Sequence, residues 1–265
     1  MTCRAGVAGQ PIAHSLSPLI HTAWIAAAGL DADYRAFGPA DAAGFADLVA
    51  EGRAGRLSGL NVTAPFKEQA LALADTVGGG AEACGSANLL VFEDGRVRAD
   101  STDGAGLMSA LAEQAPQLSV RGRPVVVLGA GGAARAAVAA LRDAGADVGV
   151  LNRTRARAEA LARDLGATVV DPEALADAVL VVNALSVVPD IDLSRLRDEA
   201  VLMDMTYRPL ITPFLIQGRA RGLAAVDGLA MLIGQARPSF RAIFGVEAPD
   251  IDVRSLALSA LGERP

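Results

Sequence analysis

The sequence has 265 residues, which is too long for one small module and predicts two domains of moderate size. Hydrophobic residues make up 52% and charged residues 20%, a balance that is typical of a globular protein with a sizeable core and excludes a disordered chain. Lys and Arg together number 24 against 30 for Asp and Glu, and the resulting net charge of −6 argues against nucleic acid as a partner.

Cysteine usage and hydropathy indicate the cellular setting. Cys3 and Cys84 match no disulfide framework and no zinc-ligand spacing, so we predict no metal site and expect a reducing cytoplasm. There is no basic leader followed by an apolar stretch, and no uncharged apolar run long enough to cross a bilayer. We therefore expect a soluble, unprocessed protein with no membrane partner.

Residues 1–103 alternate short strand-like runs with helical stretches, which predicts a layered α/β domain. Ser17 followed by Pro18 is typical of a helix start, and we expect that helix over residues 18–28. Asp94-Gly95 between two apolar runs predicts a β-hairpin. The strands expected here lie around residues 6–8, 34–37, 60–62, 87–92 and 96–99.

Residues 104–235 carry short apolar runs that alternate with helices, as in a doubly wound parallel sheet buried on both faces. The fold class predicted for the whole chain is therefore α/β, with an N-terminal α/β domain and a Rossmann-type domain. From Gly228 onward the pattern indicates two helices with a break near residues 245–249, and it leaves open which domain they join. The predicted strands of this half are residues 125–128, 147–151, 168–170, 179–182 and 201–205.

A glycine-rich turn follows the first of these strands and opens a helix. The sequence GAGGAA at residues 129–134 fits the Gly-x-Gly-x-x-Ala pattern of a dinucleotide pyrophosphate site, in which helix N-terminal amides bind the phosphates. The motif alone could be a tight turn, but strand, turn, helix and second strand occur in the right order. The candidate cofactor residues are Gly129, Ala130, Gly131, Gly132 and Ala133.

The end of the second strand distinguishes the two nicotinamide cofactors, because an acidic residue there binds the free ribose of NAD. This chain has Asn152, Arg153, Thr154 and Arg155 at that position. Arg153 can pair with a 2′-phosphate, and Asn152 and Thr154 can donate hydrogen bonds, so NADP is favoured. The alternative is a solvated helix start, which applies more to Arg155 than to Arg153. An arginine in a first helical turn opposes the helix dipole, so some compensation is expected.

Several polar residues of the N-terminal half suggest a site for an anion. Ser15 and Ser17 lie just before a helix whose first amides are unpaired, a suitable place for a carboxylate or phosphate. Ser17 by itself could be an ordinary cap. His14 and His21 are expected to pack or orient this segment rather than bind a metal.

Lys67 and Asp103 are the candidate catalytic residues. Lys67 is a cation in the first turn of a helix, where it opposes the dipole, and such a broken local rule suggests a function. Asp103 is at the start of the next domain's first helix, where a carboxylate is stabilised. If the two face each other across a cleft between the domains, they titrate as a unit. The alternative is an interdomain salt bridge without chemistry.

Eight ordered motifs spread over nearly the whole chain resemble those of the shikimate dehydrogenase family. The longest are GQPIAHSLSPLIH at residues 9–21 and NVTAPFK at residues 61–67. The others are GSAN at 85–88, TDG at 102–104, the glycine turn at 129–134, NRT at 152–154, Asp204 with Thr212-Pro213, and GLAMLIGQ at 228–235.

The resemblance implies reversible, NADPH-dependent reduction of 3-dehydroshikimate to shikimate, a step of aromatic amino-acid synthesis, with Lys67 and Asp103 as the catalytic pair. It implies that Ser15, Ser17 and Tyr207 bind the substrate carboxylate and that the final helices pack on the first domain, with closure between the domains. The resemblance further assigns ring hydroxyls to Asn61, Thr63, Asn88 and Gln235, and cofactor contacts to Met205, Gly228 and Met231.

The chain departs from the usual family pattern at Thr22, Ser101, residues 185–188 and Arg237. One alternative is a quinate/shikimate dehydrogenase that uses NAD, against which Arg153 argues. A second is a weakly active paralogue that binds NADP or a cyclic acid as a sensor. A third is a related reductase of a folate-type substrate, against which the Ser15 and Ser17 pair argues. A monomer or a homodimer is expected.

Overall fold

A computed structural model describes residues 3–263, and the chain divides into two compact units. The first unit consists of the described residues up to Thr102 together with those from Gln235 onward. The second unit is Asp103–Gly234.

The first unit is built on a six-stranded mixed sheet with helices around it. Its strands are β1 (Cys3–Ala8), β2 (Ala32–Phe37), β3 (Gly59–Val62), β4 (Thr76–Val77), β5 (Leu89–Glu93) and β6 (Arg96–Asp100). Its helices are α1 (Ser17–Ala27), α2 (Ala42–Arg53), α3 (Lys67–Ala72) and α4 (Gly79–Cys84), and near the end of the chain α10 (Val253–Leu261). The strand order is β2-β1-β3-β5-β6-β4.

β5 runs opposite to the other five strands of this sheet. β1 pairs parallel with both β2 and β3, whereas β5 pairs antiparallel with β3 and with β6. All four residues of β3 are buried, and the apolar side chains of one core cluster include Phe45, Leu60 and Leu90. Asp94 and Gly95 both have positive φ at the turn between β5 and β6, so the predicted hairpin is confirmed.

The second unit contains a six-stranded sheet in which every pairing is parallel. Its strands are β7 (Pro124–Leu128), β8 (Asp147–Leu151), β9 (Thr168–Val169), β10 (Leu180–Asn183), β11 (Val201–Asp204) and β12 (Ala224–Val226). Its helices are α5 (Asp103–Gln114), α6 (Gly132–Asp143), α7 (Arg155–Leu165) and α8 (Pro213–Ala220), with short 3-10 helices at Pro172–Ala176 and Leu193–Arg195.

The strand order of the second unit is β12-β11-β10-β7-β8-β9, the arrangement of a doubly wound Rossmann sheet. The order reverses between β7 and β10, which is where such sheets bind ligands beyond the carboxyl ends of the strands. Valine and leucine fill these strands because both faces of the sheet are covered by helices. The predicted fold class is therefore confirmed.

Several predicted boundaries need correction. α1 begins at Ser17 itself and Leu16 is its N-cap, so Ser17 is not the capping residue that the Ser-Pro pair suggested. α2 and β12 were not predicted. α2 is capped by the Asp41 carboxylate, which accepts a hydrogen bond from the Gly44 amide. β12 has only three residues, too few to show the alternation of apolar and polar side chains that predicts a strand.

The last predicted helix pair is present as α9 (Gly228–Phe244) and α10. The division between the two units falls inside α9, so that Gln235 and the residues after it belong to the first unit. α10 packs against α1 in that unit. None of the helices within residues 3–263 has the length and apolar character needed to span a bilayer.

Candidate active site

Four loops of the first unit meet at one edge of its sheet. β1 and β3 are parallel neighbours, so the loops that follow them leave the same edge. Backbone hydrogen bonds join these loops, from the Thr63 amide to the Ala8 carbonyl at 2.9 Å and from the Gln10 amide to the Ala64 carbonyl at 3.0 Å. The antiparallel strands bring the start of β5 and the end of β6 to the same edge. Residues from distant motifs are thereby gathered at one place.

Ser15 and Ser17 are in the loop after β1 and at the first residue of α1. The Ser15 Oγ accepts a hydrogen bond of 3.3 Å from the Ser17 amide, and Ser17 is buried. Thr63 packs close to this segment, since a Cβ added to Gly9 would lie 2.3 Å from its methyl carbon. Gly9 therefore allows the two loops to approach each other.

Lys67 is the first residue of α3, so the prediction that it lies in a first helical turn is confirmed. Its carbonyl accepts a hydrogen bond of 3.0 Å from the Ala87 amide, and the preceding Phe66 ring stacks on Phe45 with centroids 4.9 Å apart. The backbone that carries the ammonium is thus fixed on both sides. A further signal was available in the sequence, because Lys67 is the one lysine among the 24 basic residues.

A buried network of polar side chains joins four parts of the first unit: β3, the segment before β5, the segment after β6, and the C-terminal part of α9. The Asn88 side chain accepts from the Thr102 amide at 2.8 Å and donates to Thr102 Oγ1 at 3.0 Å and to Gln235 Oε1 at 3.1 Å. The Asn61 Nδ2 donates to Ser239 Oγ at 2.8 Å and to the Asn88 carbonyl at 3.3 Å. The structure therefore brings Asn61, Asn88 and Gln235 together, and their role in holding ring hydroxyls stays a prediction.

Tyr34 is hydrogen-bonded to this network, and His21 packs against Tyr34. The Tyr34 hydroxyl donates to Asn61 Oδ1 at 2.7 Å, and burial raises the pKa of that phenol well above its usual range, so it stays a donor. The His21 ring stacks on Tyr34 with centroids 4.1 Å apart. Burial lowers the pKa of His21 from 6.5 to about 3, so its imidazole is neutral, and it packs among aromatic rings as predicted.

The glycine turn of the second unit fits a dinucleotide phosphate group. Gly129 has φ +115°, and Gly131 is the N-cap of α6 without a side-chain cap. A Cβ built on Gly131 would meet no atom within 4 Å, so the space above the helix start is open. Anionic phosphate is stabilised by unpaired helix amides at such a position.

The residues after β8 differ in their partners. Arg155, the first residue of α7, forms ion pairs of 3.2 Å with Glu159 and with Asp171, which supply the expected compensation. The Asn152 Nδ2 donates to the Thr154 carbonyl at 2.9 Å. Arg153 is exposed and no salt bridge joins it to another residue within 3–263. Arg153 is therefore better placed than Arg155 to bind a phosphate.

The loop after β11 is tied down by Asp204. Its carboxylate accepts from the Thr206 amide at 2.9 Å and from the Thr212 hydroxyl at 2.7 Å, and Thr212 caps α8. This arrangement fixes the loop that contains Met205 and Tyr207.

The start of α9 lies against that loop. A Cβ on Gly228 would lie 2.6 Å from the Thr206 carbonyl oxygen and 2.7 Å from that of Met205. Met231, one turn along α9, is buried in the core of the second unit.

Asp103 and residues 185–188 complete the predicted set. Asp103 is the first residue of α5 and is buried. It follows directly after Thr102, whose backbone amide is held by Asn88.

Leu185 packs on the glycine turn, since a Cβ on Gly129 would lie 3.1 Å from its side chain, while Val187 and Val188 are exposed. Among the described residues, no group of three or more His, Cys, Asp or Glu is suited to a metal.

Comparison with known proteins identifies the family of this chain. The model of the shikimate dehydrogenase substrate binding domain matches residues 7–90, and that of shikimate / quinate 5-dehydrogenase matches residues 110–189. The shikimate dehydrogenase (NADP(+)) of Caulobacter vibrioides strain NA1000 is 54% identical over 97% of this chain and 95% of its own length. The chain belongs to the shikimate dehydrogenase family.

Other relatives agree with this family assignment. The shikimate dehydrogenase (NADP(+)) of Maricaulis maris strain MCS10 is 47% identical over 98% of this chain and 97% of its own. A crystal structure of shikimate 5-dehydrogenase from Thermus thermophilus, in complex with NADP(H) and shikimate, superposes with a TM-score of 0.88. It is 36% identical and covers 98% of both chains. The predicted family is confirmed.

Proposed function

We propose that this chain catalyses the reversible, NADP-dependent interconversion of shikimate and 3-dehydroshikimate, a step of aromatic amino-acid synthesis. The prediction of an NADP-dependent oxidoreductase agrees with the curated relatives, which are named shikimate dehydrogenase (NADP(+)). The observation that carries the proposal is the buried network of Asn61, Asn88 and Gln235 in the first unit, next to the segment whose Ala87 amide donates to the Lys67 carbonyl.

The polar groups of that edge have the chemistry needed to bind a cyclic polyol acid. The Ser15 and Ser17 hydroxyls at the start of α1 are proposed to bind the carboxylate, together with Tyr207. Asn61, Thr63, Asn88 and Gln235 are proposed to hold ring hydroxyls. A site built on buried hydrogen-bonding groups discriminates strongly against analogues that lack a hydroxyl, since those groups would be left unpaired.

Lys67 is proposed to act at the reacting oxygen. Bound NADP(H) supplies or accepts the hydride. As negative charge develops on the carbonyl oxygen during reduction, the Lys67 ammonium stabilises it and donates the proton. The Asp103 carboxylate is proposed to orient the lysine and to accept a hydrogen bond from the neighbouring hydroxyl.

The second unit is proposed to bind NADP through the glycine turn and Arg153. Gly129, Ala130, Gly131, Gly132 and Ala133 form the turn at the start of α6, where the amides would bind the pyrophosphate. The Arg153 guanidinium would pair with the 2′-phosphate, assisted by Asn152 and Thr154. Met205, Gly228 and Met231 are proposed contacts of the nicotinamide half.

The proposal is tested by following the absorbance of reduced nicotinamide with shikimate or quinate, each offered NADP or NAD. The expected result is the highest kcat/KM for shikimate with NADP. A preference for quinate with NAD would favour the quinate dehydrogenase alternative instead. Binding of NADP without turnover of either acid would favour a sensor.

Three expectations about cellular context remain predictions. A cytoplasmic location, the absence of a nucleic-acid partner and a monomeric or homodimeric state are expected from composition and from the family resemblance. Size-exclusion chromatography with light scattering measures the oligomeric state directly.

A further inference from the structure

Ser239 is a buried hydroxyl at the centre of the polar network. It lies on α9 and is completely inaccessible to solvent. Its Oγ is 2.8 Å from Asn61 Nδ2, 3.1 Å from Thr102 Oγ1 and 3.1 Å from the Gln235 carbonyl oxygen. The three partners come from β3, from the segment after β6 and from α9 itself.

The hydrogen-bonding capacity of a hydroxyl matches these three partners. A serine hydroxyl donates one hydrogen bond and accepts two. The donor is directed to the Gln235 carbonyl, one helical turn earlier on α9. The Oγ then accepts from Asn61 Nδ2 and lies 3.1 Å from the Thr102 hydroxyl, whose single proton also faces Gln235 Oε1 at 3.1 Å. An alanine at this position would remove all three contacts of the Ser239 hydroxyl.

Asn61 is held from two directions. Tyr34 donates to its Oδ1 at 2.7 Å, while Ser239 and the Asn88 carbonyl accept from its Nδ2. These contacts fix which side of the amide carries oxygen. The Thr102 hydroxyl, which Ser239 also contacts, stands next in the chain to Asp103.

We propose that Ser239 is a positioning residue, which orients the Asn61 amide and Thr102 and thereby sets the affinity of the site for shikimate. The inference rests on the proposed function, because it takes Asn61 as a substrate-binding residue. Ser239 itself is not proposed to touch the substrate or the cofactor.

The first test compares Ser239→Ala with Ser259→Ala. Ser259 is an exposed serine on α10 whose hydroxyl also donates to a carbonyl four residues earlier, that of Ser255, at 3.0 Å. Ser239→Ala is expected to raise the KM for shikimate about fivefold or more, the equivalent of one ordinary hydrogen bond, with the KM for NADP unchanged. Ser259→Ala is expected to leave both values unchanged. Equal kinetics in the two variants would overturn the proposal.

A double-mutant cycle with Asn61→Ala tests whether Ser239 acts through Asn61. In the Asn61→Ala background, Ser239→Ala is expected to change the shikimate KM less than about twofold. The same factor in both backgrounds would contradict the route through Asn61. Ser239→Cys fills the site with a somewhat larger thiol that bonds only weakly, so it should raise the shikimate KM as alanine does. A wild-type KM in that variant would show that filling the site is enough without the hydroxyl's hydrogen bonds and would overturn the proposal.

A readout without turnover separates this inference from the proposed function. The measurement is the NMR chemical shift of the Asn61 side-chain amide, whose signals are assigned by their loss in Asn61→Ala. These shifts are expected to change in Ser239→Ala and to stay the same in Ser259→Ala. Unchanged Asn61 signals would overturn the positioning role. Absence of wild-type shikimate oxidation would instead contradict the proposed function, whatever the amide signals show.

Discussion

At the scale of single residues, the choice between lysine and arginine is informative. Of the 24 basic residues, only Lys67 is lysine, and the rest are arginine. A guanidinium keeps its proton throughout the physiological range, whereas an ammonium can release one and its point charge fits beside a single oxygen. The lysine of this chain is at the position where proton transfer is proposed.

Arg153 and Arg155 give a prediction on cofactor choice. Arg153→Ala is expected to raise the KM for NADP on the order of tenfold to a hundredfold, the range for lost hydrogen bonds to a charged group. The KM for NAD should change little, since NAD lacks the 2′-phosphate. Arg155→Ala is the matched control, because that guanidinium is already paired with Glu159 and Asp171. Steady-state kinetics with both cofactors measure these KM values. An equal increase of the NADP KM in the two variants would contradict the assignment of the 2′-phosphate contact to Arg153.

At the scale of elements, the turns that follow strands set the site. Parallel strands bring their carboxyl ends to one edge, so short loops after β1 and β3, and after β7 and β8, collect residues that are far apart in sequence. Close backbone approach is needed where α9 begins, against the carbonyls of Met205 and Thr206.

Gly228→Ala tests that close approach. The new Cβ would lie 2.6 Å from a backbone oxygen, so the loop after β11 or the start of α9 has to move. The expected cost is about 1–3 kcal/mol of unfolding free energy, as for other overpacked sites. Gly79→Ala is the control, because Gly79 is also the first residue of a helix and its added Cβ would meet nothing within 4 Å. Urea denaturation that finds the two variants equally stable would refute the close contact.

At the scale of the whole molecule, the fold was largely predictable and the network was not. Apolar periodicity and strand-to-helix turns locate β7, β8 and α6 because these signals are local. The bond between Asn61 and Ser239 joins residues 178 positions apart, and a single serine on a helix gives no local sign of its partner. Tyr34 was likewise predicted only as part of a strand. Such contacts depend on how strands and helices pack, and a short stretch of sequence does not reveal that packing.

The stability of the molecule should depend on pH through His21. Its pKa is about 3 in the folded chain and 6.5 ordinarily, so between these values the unfolded chain binds a proton that the folded chain does not. Stability is therefore unaffected by this group above pH 6.5 and falls as the pH drops below it.

His21→Phe removes this titration and keeps a ring against Tyr34. Between about pH 8 and about pH 5, the wild type should lose about 2 kcal/mol more unfolding free energy than the variant. Urea denaturation at each pH measures the difference. Parallel losses in the two proteins would mean that His21 accepts a proton in the folded state.

The most direct test of the whole account is the turnover number of Lys67→Ala with saturating shikimate and NADP. We expect kcat to fall on the order of 10² to 10³-fold, the usual loss when one group that stabilises developing charge is removed. NADP binding, measured by equilibrium titration, should be unchanged because Lys67 is in the first unit and the glycine turn is in the second. Turnover within a few-fold of the wild type would contradict the assignment of Lys67 as the catalytic acid.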